Sequence, residues 1–404
     1  MDHLIGIGGV GMSALAQALV SLGHSVSGAD RMLGIGQGAA RPASFERLAA
    51  LGVKLFPDDG SGVNAGVDRV VVSTAIEADN PGLRKAKELG IPVMHRAAAL
   101  ADALSPFRLV AVAGTCGKST VTAMLSHVLA GCGLDPFCVN GAAVVGWNGS
   151  VRPGKGQYAV AEVDESDKSL TAFRPYAAVI TNASADHYSK EEMDEVFDAF
   201  VKDVPGPVID GRKGCFEADC SMPGVYNQQN AGLALAMAVA LGADEAMARA
   251  ALLSFPGVER RMQLIGRCGS AEVYDDYAHN PEKLHAMLVT LQEKSAEGVA
   301  VVWRPHGYGP LRKMMDALAE MFSATLRCQD RLILLPVYDA GGTAERTVQS
   351  DGLAVKVAGA EFVKTPEEAY RLLMAQTSAF GVIVVAGARD PGLTVLAHRL
   401  AGKE

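Results

Sequence analysis

The sequence predicts an α/β protein built from three domains. Apolar, strand-like runs alternate with amphipathic helical stretches, which is the pattern of parallel sheets with covered faces. Two glycine-rich turns each join a strand to a helix, and polar residues follow the ends of several predicted strands. The predicted domains are a Rossmann-like unit at residues 1–105, a P-loop ATPase-type α/β unit at 106–265 and a Rossmann-like α/β unit at 266–404.

The composition excludes several classes of protein. The 404 residues carry a formal net charge of -8, whereas a general nucleic-acid binder needs a basic face. No apolar run reaches about 18 residues, and Met1 leads directly into a strand, so we expect neither a membrane span nor a signal peptide. The seven cysteines are scattered without a C-x-x-C pair, which favours reduced thiols over disulfides or structural zinc. We therefore expect the chain to lie in the cytoplasm.

The first glycine-rich turn lies in HLIGIGGVGM, before the predicted helix MSALAQALVSLG. Gly6, Gly8 and Gly11 have the G-x-G-x-x-G spacing, with Gly9 between them, and the next strand ends at Asp30. Such a turn lets a diphosphate approach a helix N-terminus, and the acidic residue is typical of dinucleotide sites. The pattern alone leaves three interpretations, namely a nicotinamide or flavin site, another diphosphate ligand, or a structural turn.

The second turn, in LVAVAGTCGKSTVTAML, is close to a phosphate-binding loop. The full pattern G-x-x-x-x-G-K-[ST] requires a glycine where this chain has Val112, but strand, turn, Lys-Ser and helix follow in the required order. Backbone N–H groups would hold a polyphosphate, Lys118 would meet its terminal phosphates and Ser119 would ligate magnesium. The candidate residues are Gly114, Thr115, Gly117, Lys118, Ser119 and Thr120.

Acidic side chains and a histidine follow two later strands of the second domain. Glu162 lies in YAVAEVDESD, and Asp186 and His187 end AAVITNASADH. A carboxylate at one strand end and Asp-His at the next are groups that a Mg²⁺ site beside a triphosphate would use. Next to a phosphate loop, this pattern favours magnesium binding over solvated strand caps.

In the third domain, polar side chains again follow the strands. Asp276, His279, His306 and Asp390 come at or after the ends of predicted parallel strands. In an open α/β sheet, that edge binds ligands.

The order of these motifs resembles the Mur ligase family. The matching stretches are GIGGVGMSALA, STAIEADNP, GTCGKSTVTAM, AEVDESD, TNASADH, GVYNQQN, FPGVERR, DDYAHNP and RPHGY, and they cover nearly the whole chain. The phosphate loop of that family is the shorter G-T-x-G-K-[ST], so Gly114 and Gly117 suffice, and ATP is the implied ligand.

The resemblance implies an ATP-dependent carboxylate-amine ligase that joins an amino acid, with L-alanine expected, to UDP-N-acetylmuramate in peptidoglycan precursor synthesis. The substrate carboxylate would attack the ATP γ-phosphate, and an amine would displace phosphate from the acyl phosphate. The implied cofactors are ATP and Mg²⁺. The implied partners are a UDP-sugar and an amino acid or peptide, without nucleic acid or membrane, and we expect a monomer or weak homodimer.

The resemblance also implies roles for matched residues. Lys118 and Arg261 would offset charge on the γ-phosphoryl group, and Asp276 would meet the ATP ribose. Asn227 and Asn230 would reach the adenine. The implied catalytic residues are Lys118, Arg261, His187 and Glu162, and the implied metal residues are Ser119, Glu162 and His187. The implied UDP-substrate residues are Gly6, Gly8, Gly9, Gly11, Asp30 and Ser73, and the amine-substrate residues are His279, His306 and Arg304.

The chain departs from the family pattern at three places in the predicted ATP-binding domain. Cys116 replaces a histidine in the phosphate loop, a small change because such loops bind mainly through backbone N–H groups. Tyr226 replaces a histidine before Asn227. The stretch between His187 and Asn227 is short, and it predicts a trimmed sheet edge beside an intact ATP site.

A larger departure lies in RPHGYGPLR. Gly307 and Pro310 stand where alanine-adding relatives have two arginines that face the carboxylate of the incoming amino acid. An unpaired carboxylate in a closed site would cost several kcal/mol. Either Arg304 or Arg312 therefore substitutes, or the amine is not alanine.

Three other functions stay open at this stage. The first is a divergent ligase with a different amine or a muramyl-peptide acceptor. The second is a non-catalytic ATP-binding regulator or partner subunit, favoured by the RPHGYGP change and disfavoured by the Lys118, Glu162, His187 and Arg261 set. The third is a nicotinamide-dependent oxidoreductase based on Gly6 to Gly11 alone.

Overall fold

The computed structural model describes residues 1–34, 43–164, 169–183, 190–339 and 345–403. These residues form three β-sheets flanked by helices. The chain divides into two compact units, Met1–Val258 with two of the sheets and Glu259–Glu404 with the third.

The first sheet is wholly parallel, with strand order β3-β2-β1-β4-β5. Its central strand β1 is buried along its length, as expected for a strand covered on both faces. The strands are β1 (Asp2–Ile5), β2 (Val26–Asp30), β3 (Lys54–Pro57), β4 (Arg69–Val72) and β5 (Val93–His95), and the helices are α1 (Val10–Ser21), α2 (Ala43–Ala50), α3 (Pro81–Glu88) and α4 (Arg96–Leu104).

The second sheet has the order β11-β10-β6-β9-β7-β8, and only the edge strand β8 runs antiparallel. Its central strand β6 is apolar and buried after its first residue, and α5 packs against α7 and α8. The strands are β6 (Arg108–Ala113), β7 (Phe137–Val144), β8 (Gly149–Arg152), β9 (Tyr158–Glu162), β10 (Ala177–Ile180) and β11 (Val208–Asp210), and the helices are α5 (Lys118–Gly131), α6 (Lys190–Val201), α7 (Val225–Ala240) and α8 (Glu245–Leu253).

The shortened stretch of the central segment forms the outer edge of this sheet. Strand β11 has three residues and pairs only with β10. Arg212 fixes this edge, because its guanidinium donates to Asp210 at 2.7 Å and to Asp194 and Asp198 of α6 at 3.0 and 2.7 Å. The predicted trimmed edge is therefore a short strand that one arginine ties to a helix.

The first two sheets share a hydrophobic core inside the first unit. Leu15 and Leu19 of α1 belong to the same buried cluster as Phe137 and Val139 of β7. Within this cluster Gln17 makes polar contacts to the second sheet, since its Oε1 accepts from the Ser150 backbone N–H at 3.2 Å.

The third sheet has the order β12-β13-β17-β14-β15-β16, with β12 antiparallel to β13 and the remaining pairs parallel. Strand β14 is buried throughout, as its apolar sequence predicts. The strands are β12 (Gln263–Cys268), β13 (Ala271–Asp276), β14 (Gly298–Trp303), β15 (Arg331–Leu334), β16 (Glu361–Phe362) and β17 (Phe380–Ala386), and the helices are α9 (Pro281–Lys294), α10 (Tyr308–Thr325), α11 (Ser350–Lys356), α12 (Pro366–Met374) and α13 (Pro391–Leu400).

The predicted fold class is confirmed, because each predicted domain corresponds to one α/β sheet in chain order. The boundaries at residues 105 and 265 remain predictions. Residue 265 falls within β12, and the second compact unit begins at Glu259. Of the helices in the described ranges, none combines the length and apolar character needed to cross a membrane.

Candidate active site

The predicted phosphate loop connects β6 to α5. Gly114 has φ 131° and Gly117 has φ 83°, both in the region that side chains disfavour. A Cβ at Gly114 would overlap Thr181 Oγ1, and one at Gly117 would overlap the Asn230 carboxamide. Glycine is therefore required at both positions for conformational and packing reasons, as expected for a loop that turns its backbone towards an anion.

The end of β10 holds this loop in place. The Asn182 Oδ1 accepts from the Cys116 backbone N–H and from Thr115 Oγ1, both at 2.9 Å. The Thr181 hydroxyl donates to the Cys116 carbonyl at 2.6 Å. The bonds to Cys116 involve its backbone and not its side chain. This agrees with the expectation that cysteine in place of histidine changes the phosphate loop little. Sequence reasoning missed Thr181 and Asn182, although TN directly follows the strand that neighbours β6.

Lys118, Ser119 and Thr120 form the first turn of α5. The Lys118 Nζ reaches back across the loop and donates to the Gly114 carbonyl at 2.6 Å. Ser119 and Thr120 are buried. The helix dipole and the lysine charge meet at the loop, and this is the arrangement that favours a polyphosphate.

The two predicted adenine residues lie on α7, which packs against α5. Both side chains are buried, and Asn230 Nδ2 donates to Asn227 Oδ1 at 3.4 Å. Asn230 lies against Gly117, and Asn227 Nδ2 donates to the Pro223 carbonyl at 2.7 Å. The structure thus brings Asn230 to the phosphate loop, while the adenine contact itself remains a prediction.

Glu162 ends β9, which pairs with β6, so its carboxylate follows the same sheet edge as the phosphate loop. Its Oε2 accepts from the Gly141 backbone N–H at 2.7 Å, which leaves Oε1 for another partner. The Ser119 hydroxyl and this carboxylate are hard oxygen donors of the kind that suits Mg²⁺. His187 and Asp186 lie outside the described residues. Among the residues that the structure does describe, no cluster of three His, Cys, Asp or Glu could hold a metal.

The first glycine-rich turn joins β1 to α1 and is closed by Asp30. The Asp30 Oδ2 accepts from the Gly8 backbone N–H at 2.9 Å, and Oδ1 accepts from Met32 at 3.0 Å. Gly6 has φ 75°, and a Cβ on Gly8 would stand 2.8 Å from the Asp30 carboxylate. Both oxygens of the acidic residue thus already accept backbone N–H groups of this edge.

The remaining residues of this turn lie nearby. Gly9 is the N-cap of α1, and a Cβ on Gly11 would stand 3.0 Å from the Arg96 guanidinium. Ser73 follows β4, the strand beside β1, and its carbonyl accepts from the Ile76 N–H. The structure therefore brings the predicted UDP-substrate residues to one end of the first sheet.

In the second unit, Asp276 ends β13 and is buried. Its carboxylate accepts from the backbone N–H groups of Met262 and Ala278, each at 2.7 Å. Burial raises the pKa of Asp276, and these bonds and the charge of Arg261 oppose the rise. Met262 has φ 44°, so Asp276 holds the backbone beside Arg261 in an unusual conformation. The predicted ribose contact remains a prediction.

Arg261 and the two predicted histidines belong to this same end of the third sheet. The Arg261 guanidinium lies over the Tyr277 ring, 4.9 Å from its centroid. The His279 and His306 rings meet edge to face at 5.0 Å. Burial lowers the pKa of His279 to about 4, with the charge of Lys283 adding to the effect, so the imidazole is neutral near pH 7. Its Nδ1 lies 2.9 Å from the Tyr277 carbonyl, which makes Nδ1 the protonated nitrogen.

The two candidates for the missing carboxylate-binding arginines are both engaged. Arg304 donates to Asp390 Oδ2 at 2.7 Å and to the Pro336 carbonyl at 2.9 Å, and its side chain is only 20% exposed. Arg312 donates to Glu345 Oε2 at 3.0 Å and to Thr347 Oγ1 at 2.8 Å. Arg304 thus links the segments that follow three strands. For Arg304 to bind the amine substrate as predicted, its bonds to Asp390 and Pro336 would have to break.

The positions of the missing arginines are open. Gly307 is the N-cap of α10 with extended backbone, φ 167°, and the nearest atom to a Cβ there would be Pro310 Cδ at 3.5 Å. Pro310 lies in the first turn of α10, where no intrahelical N–H bond is lost. Packing does not require glycine at position 307, so a larger side chain would fit there.

The sheet edges and the lysine-bearing loop define a multidomain α/β nucleotide-binding protein. Comparison with known families is more specific. One family model, described as Mur ligase family, catalytic domain, matches residues 3–108, and a second, described as Mur ligase, glutamate ligase domain, matches residues 260–389. The chain belongs to the Mur ligase family, and the resemblance found in the sequence is confirmed.

Individual relatives extend along nearly the whole chain. A UDP-N-acetylmuramate--L-alanine ligase from Sinorhizobium fredii is 32% identical over 466 aligned positions, covering 99% of this chain and 97% of the relative. One from Agrobacterium fabrum is 31% identical, covering 96% and 93%. The crystal structure of a UDP-N-acetylmuramate-alanine ligase from Thermotoga maritima has a TM-score of 0.81 at 25% identity, covering 99% and 98%.

Proposed function

We propose that this protein is an ATP-dependent ligase that joins L-alanine to UDP-N-acetylmuramate, releasing ADP and phosphate. The observation that carries the proposal is the loop of Gly114, Gly117 and Lys118, built for a polyphosphate within a chain that aligns end to end with ligases of this name. In peptidoglycan precursor synthesis this reaction forms the first amide bond on the muramyl carboxylate.

The reaction has two steps. The muramyl carboxylate attacks the γ-phosphorus of ATP and forms an acyl phosphate, with ADP as the leaving group. The amine then attacks the acyl carbon and phosphate departs. Phosphoryl transfer depends mainly on positioning and charge neutralisation. The loop backbone and the α5 N-terminus would hold the phosphates, and Lys118 would offset the charge that develops on the transferred group.

Mg²⁺ fits the donors beside the loop, with Ser119 and Glu162 as the proposed ligands of one ion and His187 predicted to lie near a second. When bound, the metal would neutralise phosphate charge and orient the transferred group. The Gly141 N–H bond would fix the Glu162 carboxylate so that Oε1 is presented. Arg261 and Asp276 keep their proposed roles towards the phosphoryl group and the ribose.

The first glycine-rich turn is proposed to hold the diphosphate of the UDP-sugar. In dinucleotide sites of oxidoreductases the acidic residue after the second strand binds a ribose hydroxyl. Here both Asp30 oxygens accept backbone N–H groups, which supports a brace for the turn and disfavours the nicotinamide interpretation. Gly6, Gly8, Gly9, Gly11 and Ser73 would then line the UDP end of the substrate.

One observation favours a second candidate, a ligase of the same type with another amine or with a muramyl-peptide acceptor. Gly307 and Pro310 stand where the family resemblance implies two arginines, and at Gly307 the packing would accept a side chain. A changed amine would account for this loss. The nucleotide site gives no corresponding support to a non-catalytic regulator, because its loop, lysine and carboxylate are all in place.

The domain roles follow from these assignments. We propose that residues 1–105 bind the UDP-sugar, 106–265 bind ATP and 266–404 bind the amine. A cytoplasmic location is proposed because the substrates are nucleotides and the cysteines of the structure are all free thiols. A monomer or weak homodimer remains our prediction.

The proposal is tested by phosphate release from ATP and Mg²⁺ with UDP-N-acetylmuramate, across single amino acids and short peptides. Release that requires both the UDP-sugar and L-alanine supports the proposed reaction. Dependence on another amine instead supports the second candidate. If no amine raises release above a Lys118→Ala blank, the ligase function is refuted.

A further inference from the structure

We propose that Arg389 binds the carboxylate of the incoming amino acid. It would supply the guanidinium that the family resemblance implies at positions 307 and 310. The inference rests on the proposed ligase function and concerns the amine end of that site. It assigns a binding role to a residue outside the motifs that sequence analysis singled out. Four features of the second unit support it.

The first feature is the position of the Arg389 loop in the sheet. Strand β17 lies between β13 and β14, and Ala386 pairs with Asp276 on one side and with Trp303 on the other. The segments that follow these three strands therefore emerge together at the carboxyl edge. His279 follows β13, His306 follows β14 and Arg389 follows β17. This edge is where α/β sheets bind ligands.

The second feature is the anchoring of the loop around Arg389. The Gly387 N–H donates to the Asp276 carbonyl at 3.1 Å, and the Arg304 N–H donates to the Ala386 carbonyl at 3.1 Å. On the other side, Asp390 caps α13 by accepting from Gly392 at 2.9 Å. Arg389 thus projects from a short segment that is tied down at both ends, so its backbone position is fixed before any ligand binds.

The third feature is backbone conformation. Arg389 has φ 68°, in the left-handed region that few residues other than glycine occupy, and it is exposed. The conformation is strained for a residue other than glycine, and such residues concentrate at functional sites. A glycine would relieve the strain. The presence of arginine at this position therefore indicates a function for its side chain.

The fourth feature is charge. Within the described part of the chain, no carboxylate pairs with Arg389, and the adjacent Asp390 is engaged by Arg304. Burial lowers the pKa of His306, and the positive charges of Arg389 and Lys283 lower it further. His306 is therefore neutral beside two cations, and this edge carries a local positive field that suits a carboxylate.

These features agree with the needs of an amino-acid substrate. A guanidinium is the side-chain group best suited to bind a carboxylate. Arg304 and Arg312 already pair with carboxylates of this chain, which leaves Arg389 as the candidate for the substrate carboxylate. A carboxylate at Arg389 would lie beside the neutral imidazole of His306. The α-amino group would then be held at the same edge as the His279 and His306 pair.

Kinetics of the full chain test the inference. With L-alanine, Arg389→Ala should raise the KM for the amine about 10- to 100-fold while the KM values for ATP and UDP-N-acetylmuramate stay unchanged. With L-alaninamide, which lacks the carboxylate, the same substitution should change the KM by less than about twofold. Arg389→Lys should retain part of the L-alanine affinity. The matched control is Arg371→Ala, an exposed arginine on α12 paired with Glu367.

Two kinetic results would overturn the inference and leave the ligase function standing. One is an unchanged KM for L-alanine in Arg389→Ala. The other is an equal rise for L-alanine and L-alaninamide, which would mean that Arg389 only maintains the loop.

A binding measurement separates this inference from the ligase function. L-alanine added to the full chain should shift the imidazole NMR signals of His306 in the wild type, and the concentration that gives half of this shift should rise at least about tenfold in Arg389→Ala. With L-alaninamide, that concentration should be the same in both proteins. If no amine supports phosphate release, the ligase function fails, and this titration still decides the role of Arg389. Absence of any His306 shift with L-alanine in the wild type would overturn it.

Discussion

We propose that the phosphate loop and the amine edge, meaning the segments 277–280, 304–307 and 387–390, bind anions in different ways. The loop is one contiguous segment that uses glycine conformations, backbone N–H groups and a helix N-terminus. The amine edge collects side-chain charges from three strand ends that are far apart in sequence. Recognition by backbone N–H groups is insensitive to side-chain changes such as Cys116, whereas recognition by side chains changes with each substitution.

The largest expected effect is at the loop. Lys118→Ala should reduce kcat/KM by about three orders of magnitude or more, because the charge on the transferred phosphoryl group would lose its cation. Phosphate release measured over a range of ATP concentrations, with the other substrates saturating, gives this kcat/KM. Lys85→Ala, an exposed lysine paired with Glu88, is the matched control and should behave as wild type. Substantial turnover without Lys118 would remove the loop from the catalytic centre.

Arg261→Ala should lower kcat by about 100-fold, near 3 kcal/mol of barrier, as expected for loss of one electrostatic donor. The Tyr277 ring contact would also be lost, so circular dichroism of the variant must match the wild type. Arg267→Ala, an exposed arginine of the same unit, provides the control. If Arg261→Ala changes only the KM for the amine, Arg261 belongs functionally to the amine edge.

Asn182→Ala tests whether the loop depends on its neighbouring strand. Losing the bonds to the Cys116 N–H and the Thr115 hydroxyl should reduce kcat/KM for ATP about tenfold, with the KM for L-alanine unchanged. Asn182→Asp retains both acceptor contacts and should fall between wild type and Asn182→Ala. An Asn182→Ala enzyme with normal ATP kinetics would show that the loop needs no such support.

These residues also mark what sequence could predict. The three α/β modules, both glycine-rich turns and most strand ends follow from local patterns, so they could be foreseen. The roles of Asn182 and Arg389 could not, since each acts through a partner brought near by sheet order. Asn182 lies within TNASADH, but that pattern drew attention to Asp186 and His187. The engagement of Arg304 by Asp390 was also hidden, because the two are 86 residues apart in the chain.

A smaller effect is expected from restoring a side chain at the amine edge. Gly307→Arg should lower the KM for L-alanine a few-fold, because the backbone there is extended and the position has room. In an Arg389→Ala background the gain should be larger, since the added guanidinium would then be the main carboxylate partner. Steady-state kinetics of the four combinations measure the coupling. No rescue in that background would place the carboxylate elsewhere.

A separate effect is expected on acid stability, not on catalysis. The folded-state pKa of His279 is about 4, below the usual 6.5, so the unfolded chain binds the extra proton between these values. His279 therefore reduces stability as pH falls from about 6.5 to about 4. His279→Gln should recover about 3 kcal/mol of the free energy of unfolding at pH 4 and little at pH 7.5.

Urea unfolding followed by Trp303 fluorescence measures this difference, with Trp147→Phe as the background so that the second unit is observed alone. The pKa of His3 is also lowered to about 4 by burial, but His3 lies in the first unit. The substitution His3→Gln, followed by the same Trp303 signal, is therefore the control. Equal acid sensitivity of the wild type and His279→Gln would contradict a neutral, buried imidazole at the amine edge.

The central claim, an acyl phosphate formed at the phosphate loop, is tested most directly by isotope transfer. UDP-N-acetylmuramate with both carboxylate oxygens labelled as ¹⁸O is incubated with ATP, Mg²⁺ and L-alanine, and the released phosphate is analysed by mass spectrometry. The account predicts one ¹⁸O in each phosphate, because the carboxylate oxygen that attacks phosphorus leaves with it. Unlabelled phosphate together with amide product would contradict the claim.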